Sequence, residues 1–242
     1  MNYDAYSITG ADRPGPWLIT CDHAANTVPP GIELGLPAKD MARHIAYDIG
    51  AAGTALALGA ALQAPVICSN FSRLVIDPNR GADDPTLIMQ LYDGTIIPGN
   101  RHLTDAERQA RVDLCYAPYH AALADLAARP GTILVSVHSF TPQLRGRAPR
   151  PWEVGVLSHT DCRLAEPLLR SLTEALTSPV GDNAPYAGHL PGDAVDRHAL
   201  QQGRPNVLLE LRQDLIATPE GQRAWAARLA PHLDMARAEA HL

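Results

Sequence analysis

TILVSVHS, residues 132–139, decides how this chain is read: a short apolar run that ends on an imidazole and a hydroxyl. A β-branched run of that length reads as a strand buried on both faces. Two other stretches repeat the pattern. WLITC (17–21) runs into Asp22-His23, and NVLLEL (206–211) carries Glu210 and runs into Arg212. Helical stretches separate them, and that alternation argues for an α/β layered domain. In open α/β sheets, ligands bind outside the carboxyl ends of the strands. Three strands would therefore deliver His23, His138 and Glu210 to one crevice.

Working outward, Val66–Ser69, Leu74–Ile76 and Val154–Leu157 read as further strands, and Ala38–Leu62 as one long alanine-rich helix. Thr104 with Glu107 three residues later forms a capping box. The helix it opens carries Val112, Tyr116, Tyr119, Leu123 and Leu126 on one face, and Pro118 should kink or restart it. Asp161 is expected to cap a helix with Leu164, Leu168 and Leu172 inward. Thr218-Pro219 opens the C-terminal helix as N-cap and first residue.

The 242 residues are 46% hydrophobic and 19% charged, the balance of a globular chain with a sizeable core, read here as a single domain over 1–242. A net charge of −6 argues against a nucleic-acid partner. No apolar run approaches the roughly 20 residues that span a bilayer, so no membrane partner is expected. Met1–Asp12 is polar and lacks a signal-peptide core, which points to a cytoplasmic protein. Cys21, Cys68, Cys115 and Cys162 are widely spaced without a C-x-x-C pair and read as reduced thiols. Oligomeric state is not legible.

Two histidines and a carboxylate suit a hydrolytic zinc site, in which one position stays open for water. The metal acidifies that water and polarises a carbonyl, and a further glutamate takes the proton. No G-x-S-x-G elbow and no glycine-rich phosphate loop competes with this reading.

Five stretches then carry a resemblance: CDHAANTVPP (21–30), SRLVIDPNR (72–80), YAPYHAAL (116–123), SVHSFTP (136–142) and LLELRQDLI (208–216). In these the chain resembles the N-formylglutamate amidohydrolase family. That family is similar in fold to zinc carboxypeptidases and to the aspartoacylase and succinylglutamate desuccinylase group. The resemblance implies a three-layer α/β/α fold with a mixed, largely parallel central sheet, zinc-carboxypeptidase-like (phosphorylase/hydrolase-like). It implies His23 and His138 as ligands of Zn2+ or another divalent metal, and Glu210 as general base and proton shuttle.

Here the chain departs from the related H-x-x-E motif, because Asn26 stands where the glutamate would. Asp22 adjoins His23, but strand neighbours point to opposite faces. Asp48, in the helical segment RHIAYDIG (43–50), is favoured as the third ligand over Asn26. His44, one turn earlier on the same face, would support it.

N-formylglutamate carries two carboxylates, which call for arginine contacts. SRLVIDPNR supplies Arg73, Asn79 and Arg80, and the Asn79-Arg80 pair resembles the carboxylate clamp of zinc carboxypeptidases. Asp77 reads as a pin for an arginine or a turn. QLRGRAPRP (143–151) adds Arg145, Arg147 and Arg150 on a loop able to close over the crevice. His120 is a further substrate-binding candidate. Within the resemblance, Arg197 and His198 are candidates for binding substrate or stabilising an oxyanion. YAGHLPGD (186–193) reads as a rim.

The expected protein is thus a metal-dependent amidohydrolase of a small anionic N-acyl amino acid, foremost N-formyl-L-glutamate, as in histidine degradation. Two other readings stay open: a deacylase of another N-acyl amino acid or peptide end, and a non-catalytic ligand-binding relative that has lost its metal.

Overall fold

In the computed structural model, which describes residues 3–242, the stretch 132–139 lies at the centre of the sheet. The strands are, in chain order, β1 (Tyr6–Thr9), β2 (Trp17–Cys21), β3 (Val66–Ser69), β4 (Leu91–Tyr92), β5 (Thr95–Ile96), β6 (Ile133–Phe140), β7 (Val154–Leu157), β8 (Gly181–Asp182) and β9 (Asn206–Arg212). Seven of them form one sheet in the order β1-β3-β2-β6-β9-β7-β8, and β4-β5 is a separate hairpin. β3, β2, β6 and β9 run parallel to one another. β1 on β3 and β7 on β9 are antiparallel. The sheet is mixed and largely parallel, as expected.

Alternation along β2 sends its side chains to two cores. Trp17 and Ile19 join Val135, Leu58 and Leu229 on one face; Leu18 joins Ile67, Leu134, Phe71 and Tyr119 on the other. The helices are α1 (Ala38–Met41), α2 (Ala51–Ala61), α3 (Asp105–Arg111), α4 (Ala117–Ala127), α5 (Ala165–Ala175), α6 (Ala194–His198) and α7 (Pro219–Glu239). α2, α5 and α7 cover the first face, and α4 covers the second, which completes three layers. The Thr104–Glu107 capping box opens α3, and Thr218 caps α7. Residues 112–116 wind as one wide turn, and Pro118 restarts the helix in the first turn of α4.

Three local expectations are corrected. Ala38–Leu62 is not one helix: α1 is four residues long, residues 42–50 form turns, and α2 begins after Gly50. Gly50 has φ 80°, and a Cβ there would meet the Ile216 carbonyl oxygen at 2.1 Å, so the chain must break where only glycine fits. Leu74–Ile76 forms no strand. Its apolar character reflects full burial, and its carbonyls are met by side chains, Asn100 Nδ2 on Leu74 and Arg111 Nη1 on Val75. Asp161 does not cap α5; its carboxylate is taken by Arg163, and Leu164 holds the cap position without a side-chain bond.

Candidate active site

His23 follows the end of β2, and His138 lies on β6 beside it. The break at Gly50 lets the turn 42–50 place Asp48 between them, and the Asp48 N–H donates to the His23 carbonyl at 2.9 Å. Asp48 Oδ2 lies 3.2 Å from His23 Nδ1 and 2.9 Å from His138 Nδ1. These three side chains are buried, and among the described residues they form the one group able to offer three convergent metal-ligand atoms, all within 4.8 Å. The far nitrogen of each imidazole is also held. His23 Nε2 contacts Asp77 Oδ1 at 2.7 Å. His138 Nε2 meets Ser136 Oγ at 3.0 Å and faces Asp22 Oδ2 at 3.4 Å. Carboxylate or hydroxyl partners of that kind fix the tautomer and orientation of metal-ligating histidines.

Charge supports the same fit. Asp22, Asp48 and Asp77 are all buried, and one buried guanidinium, Arg73, answers two of them, Asp48 and Asp77. Arg73 donates from Nη2 to Asp77 at 2.8 Å and from Nη1 to Asp48 Oδ1 at 3.4 Å. Burial alone would raise the carboxyl pKa values. Attraction to His23 and His138 instead holds Asp48 below the ordinary range, and Arg73 does the same for Asp77. Asp22 is lowered too, by His138 and by the hydroxyl that Tyr119 donates to it. His138 is driven the other way, well above the usual histidine value, because Asp22 and Asp48 outweigh its burial. The cluster is short of positive charge, and a divalent cation would supply it.

Glu210 stands on β9 in register with His138. Burial pushes its carboxyl up to about 8, against the pull of His138. Its Oε2 is buried without a hydrogen-bond partner. A cavity of about 300 Å3 joins Glu210 to the His23–Asp48–His138 group.

Of the expected substrate residues, Arg73, Asn79 and Arg80 line this cavity. Arg73 is already committed to two carboxylates. Arg80 is less so: Nη1 donates to the Asn79 carbonyl and lies 4.0 Å from Asp77. Asp77 does pin an arginine, and it also holds His23.

Several candidates lie elsewhere. Asn26 donates its amide to the Met41 carbonyl, outside the ligand group, because the chain after His23 leaves as a loop and not a helix. His44 is not stacked on Asp48, since no helix spans 43–50. It lines the cavity with Nε2 3.2 Å from Asp93. Arg145 and Arg147 are exposed and do not line the cavity. Arg150 is the loop arginine drawn in, stacked on Phe140 and Tyr186. His120, Arg197 and His198 line a separate groove beside α4. There His120 Nδ1 meets His198 Nε2 at 2.8 Å, and burial lowers both pKa values, to about 3 and about 4.

Tyr92 was not anticipated. It reaches the cavity from the β4–β5 hairpin, whose Asp93-Gly94 turn is a recognisable hairpin signal. The loop 186–193 does form part of the wall, through Tyr186, Ala187, Gly188, Leu190 and Asp193. Among the described residues, no helix is long and apolar enough to cross a membrane.

Comparison with known proteins agrees with this geometry. Residues 15–217 match the family model described as N-formylglutamate amidohydrolase. A curated relative, the N-formylglutamate deformylase of Pseudomonas aeruginosa, is 28% identical over 247 residues, with 89% of this chain and 87% of that protein covered. The crystal structure of a gene product from Agrobacterium tumefaciens superposes with a TM-score of 0.93 at 33% identity, covering 99% of this chain and 97% of the other. An N-formylglutamate amidohydrolase from Ralstonia eutropha shares the fold, with a TM-score of 0.74 at 22% identity over 97% of both chains.

Proposed function

The chain belongs to the N-formylglutamate amidohydrolase family, and on that premise we propose that it hydrolyses N-formyl-L-glutamate to formate and glutamate with a bound divalent metal. The convergence of His23 Nδ1 and His138 Nδ1 on Asp48 Oδ2, with Glu210 registered beside His138, carries the reading. Those three atoms would hold the metal, and zinc is proposed because imidazole and carboxylate ligands suit it. When bound, the metal supplies Lewis acidity, which lowers the pKa of water and polarises the amide carbonyl.

The protein's own groups do the rest. Asp77 and the Ser136–Asp22 pair keep each histidine's Nδ1 turned inward. Arg73 helps to orient Asp48 through its contact to Oδ1. Asn79 and Arg80 receive a carboxylate of the substrate on the β3 side of the cavity. Glu210, ionised once a metal's charge stands beside it, would take the proton of the attacking water and pass it to the leaving nitrogen. Phe140, Leu157 and Leu208 in the same wall limit the water around that transfer. A place in histidine degradation, in the cytoplasm, belongs to the same proposal.

The test is formate release from N-formyl-L-glutamate by the purified chain, as isolated, after chelation, and after adding back zinc, manganese or cobalt. Activity lost on chelation and restored by one metal is the expected result. No formate under any metal would sink the reading.

A further inference from the structure

The strand order lays out the cavity from side to side. Arg73, Asn79 and Arg80 follow β3; His23 and His138 belong to β2 and β6; Glu210 is on β9; Leu157 ends β7. Leu157 is registered with Leu208 of β9, two residues before Glu210 and on the same face. Beyond β7, the loop after β8 closes the wall with Ala187.

That loop is held tightly against the end of β7. Asn183 N–H donates to the Val156 carbonyl at 3.1 Å, and Asn183 Oδ1 accepts from Ser158 N–H at 3.1 Å. A Cβ on Gly188 would lie 2.0 Å from the Ser158 carbonyl oxygen. The cavity therefore has unlike sides, cationic towards β3 and, at Leu157 and Leu208, apolar towards β7, with the ligand cluster and Glu210 between; past Ala187 the loop crosses to the β3 side, where Pro191 and Gly192 pack against Gly81. Asp193, further along that loop, is occupied by the N–H groups of Leu190 and Asp196.

A scissile amide placed at the centre, with its amino-acid carboxylate on Asn79–Arg80, directs its acyl group towards β7. A formyl group carries only hydrogen beyond its carbonyl carbon and makes little use of that wall. We propose that Leu157, Leu208 and Ala187 form an acyl pocket, so that the enzyme also hydrolyses N-acyl amino acids bearing a short uncharged aliphatic chain. The inference rests on the amidohydrolase reading above. In the reaction, water's oxygen bonds to the acyl carbon, the C–N bond breaks, and the nitrogen takes the proton. A carboxylate and a free amino acid leave. An aliphatic chain gains by displacing water from the apolar wall, whereas a charged chain would be desolvated against Leu157 and Leu208, and Arg150, the guanidinium drawn in near that side, is already stacked on Phe140 and Tyr186.

The experiment compares kcat/KM of the full metal-loaded chain for N-formyl-, N-butanoyl- and N-succinyl-L-glutamate and for N-formyl-L-leucine. Butanoyl turnover within about tenfold of formyl turnover, with succinyl at least about tenfold lower still, is expected from the size of single-methylene discrimination. Leu208→Phe, with Leu157→Phe as a second filling variant, should lower the butanoyl-to-formyl ratio at least about tenfold, whatever happens to formyl turnover itself. Formyl turnover without butanoyl turnover would overturn the acyl pocket and leave the proposed function standing. Butanoyl turnover without formyl turnover would support the pocket and overturn the formyl reading. Turnover of neither overturns both. N-formyl-L-leucine outrunning N-formyl-L-glutamate, with the butanoyl amide inert, would put an amino-acid side chain on the apolar side and overturn the assignment.

Discussion

His138 and Glu210 are directly registered partners on the parallel strands β6 and β9, so their side chains rise from the same face of the sheet. One contributes Nδ1 to the ligand cluster, and the other carries a buried carboxyl with an unpartnered oxygen. A rigid ladder thus fixes the distance between the proposed metal ligand and the proposed proton acceptor, without reliance on a loop.

Glu210→Gln removes the proton acceptor and keeps the shape. Formate release should fall by about 100- to 10,000-fold, the range for a positioned general base. Metal content after dialysis should stay at the wild-type stoichiometry. A variant with wild-type kcat would exclude Glu210 from proton transfer.

Asp77→Asn weakens the bond at His23 Nε2 and frees Arg73 from one partner. Metal affinity, measured by competition with a chromophoric chelator, should drop about 10- to 100-fold. Unchanged affinity would mean that His23 is oriented by packing alone.

Asp22 and Asp48 push the His138 imidazole well above the usual histidine value, which favours a proton on it in the chelated protein. A metal must displace that proton from Nδ1. Calorimetric titration with zinc at neutral pH, in buffers of different ionisation enthalpy, should report release of about one proton. Zero release would show that His138 is already neutral.

Glu210 contributes its own pH dependence to stability after chelation, which comparison with Glu210→Gln isolates. Its folded-state pKa of about 8 lies above the ordinary glutamate value of 4.5. Across that window the unfolded chain gives up the proton while the folded chain keeps it, so stability falls as pH rises. Thermal denaturation of the chelated protein should therefore show wild type losing Tm relative to Glu210→Gln from acid towards pH about 8, with no further relative loss above it. Parallel curves would contradict a raised carboxyl.

Arg197→Ala tests the separate groove. Arg197 is exposed beside α4 and does not line the cavity. kcat/KM should change by no more than about twofold, as for an ordinary surface change within about 0.5 kcal/mol. A loss of several hundredfold would return Arg197 to the reaction.

Much of the architecture was legible locally. Apolar runs of strand length, ending in His23, His138 and Glu210, are patterns within a few residues, and so are the capping signals at Thr104 and Thr218. Leu74–Ile76 misled for the same reason: composition records burial, and burial does not require a strand partner. Alanine content over 38–62 likewise pointed to a helix, while the outcome turned on Gly50, whose need shows only when the Ile216 carbonyl packs against it.

Sequence by itself determined the alternation of strands and helices and which strand ends carry ionisable groups, because those follow from side-chain periodicity along a short backbone. Tertiary structure alone decided that Asp48 sits between the two histidines, that Arg73 is locked by Asp48 and Asp77, and that Leu157 faces Leu208 across a ladder. It also carried His120, Arg197 and His198 into a different groove from His23. These are relations between residues far apart in the chain. They are set by strand order, by one obligatory break, and by the need of each buried charge for a partner.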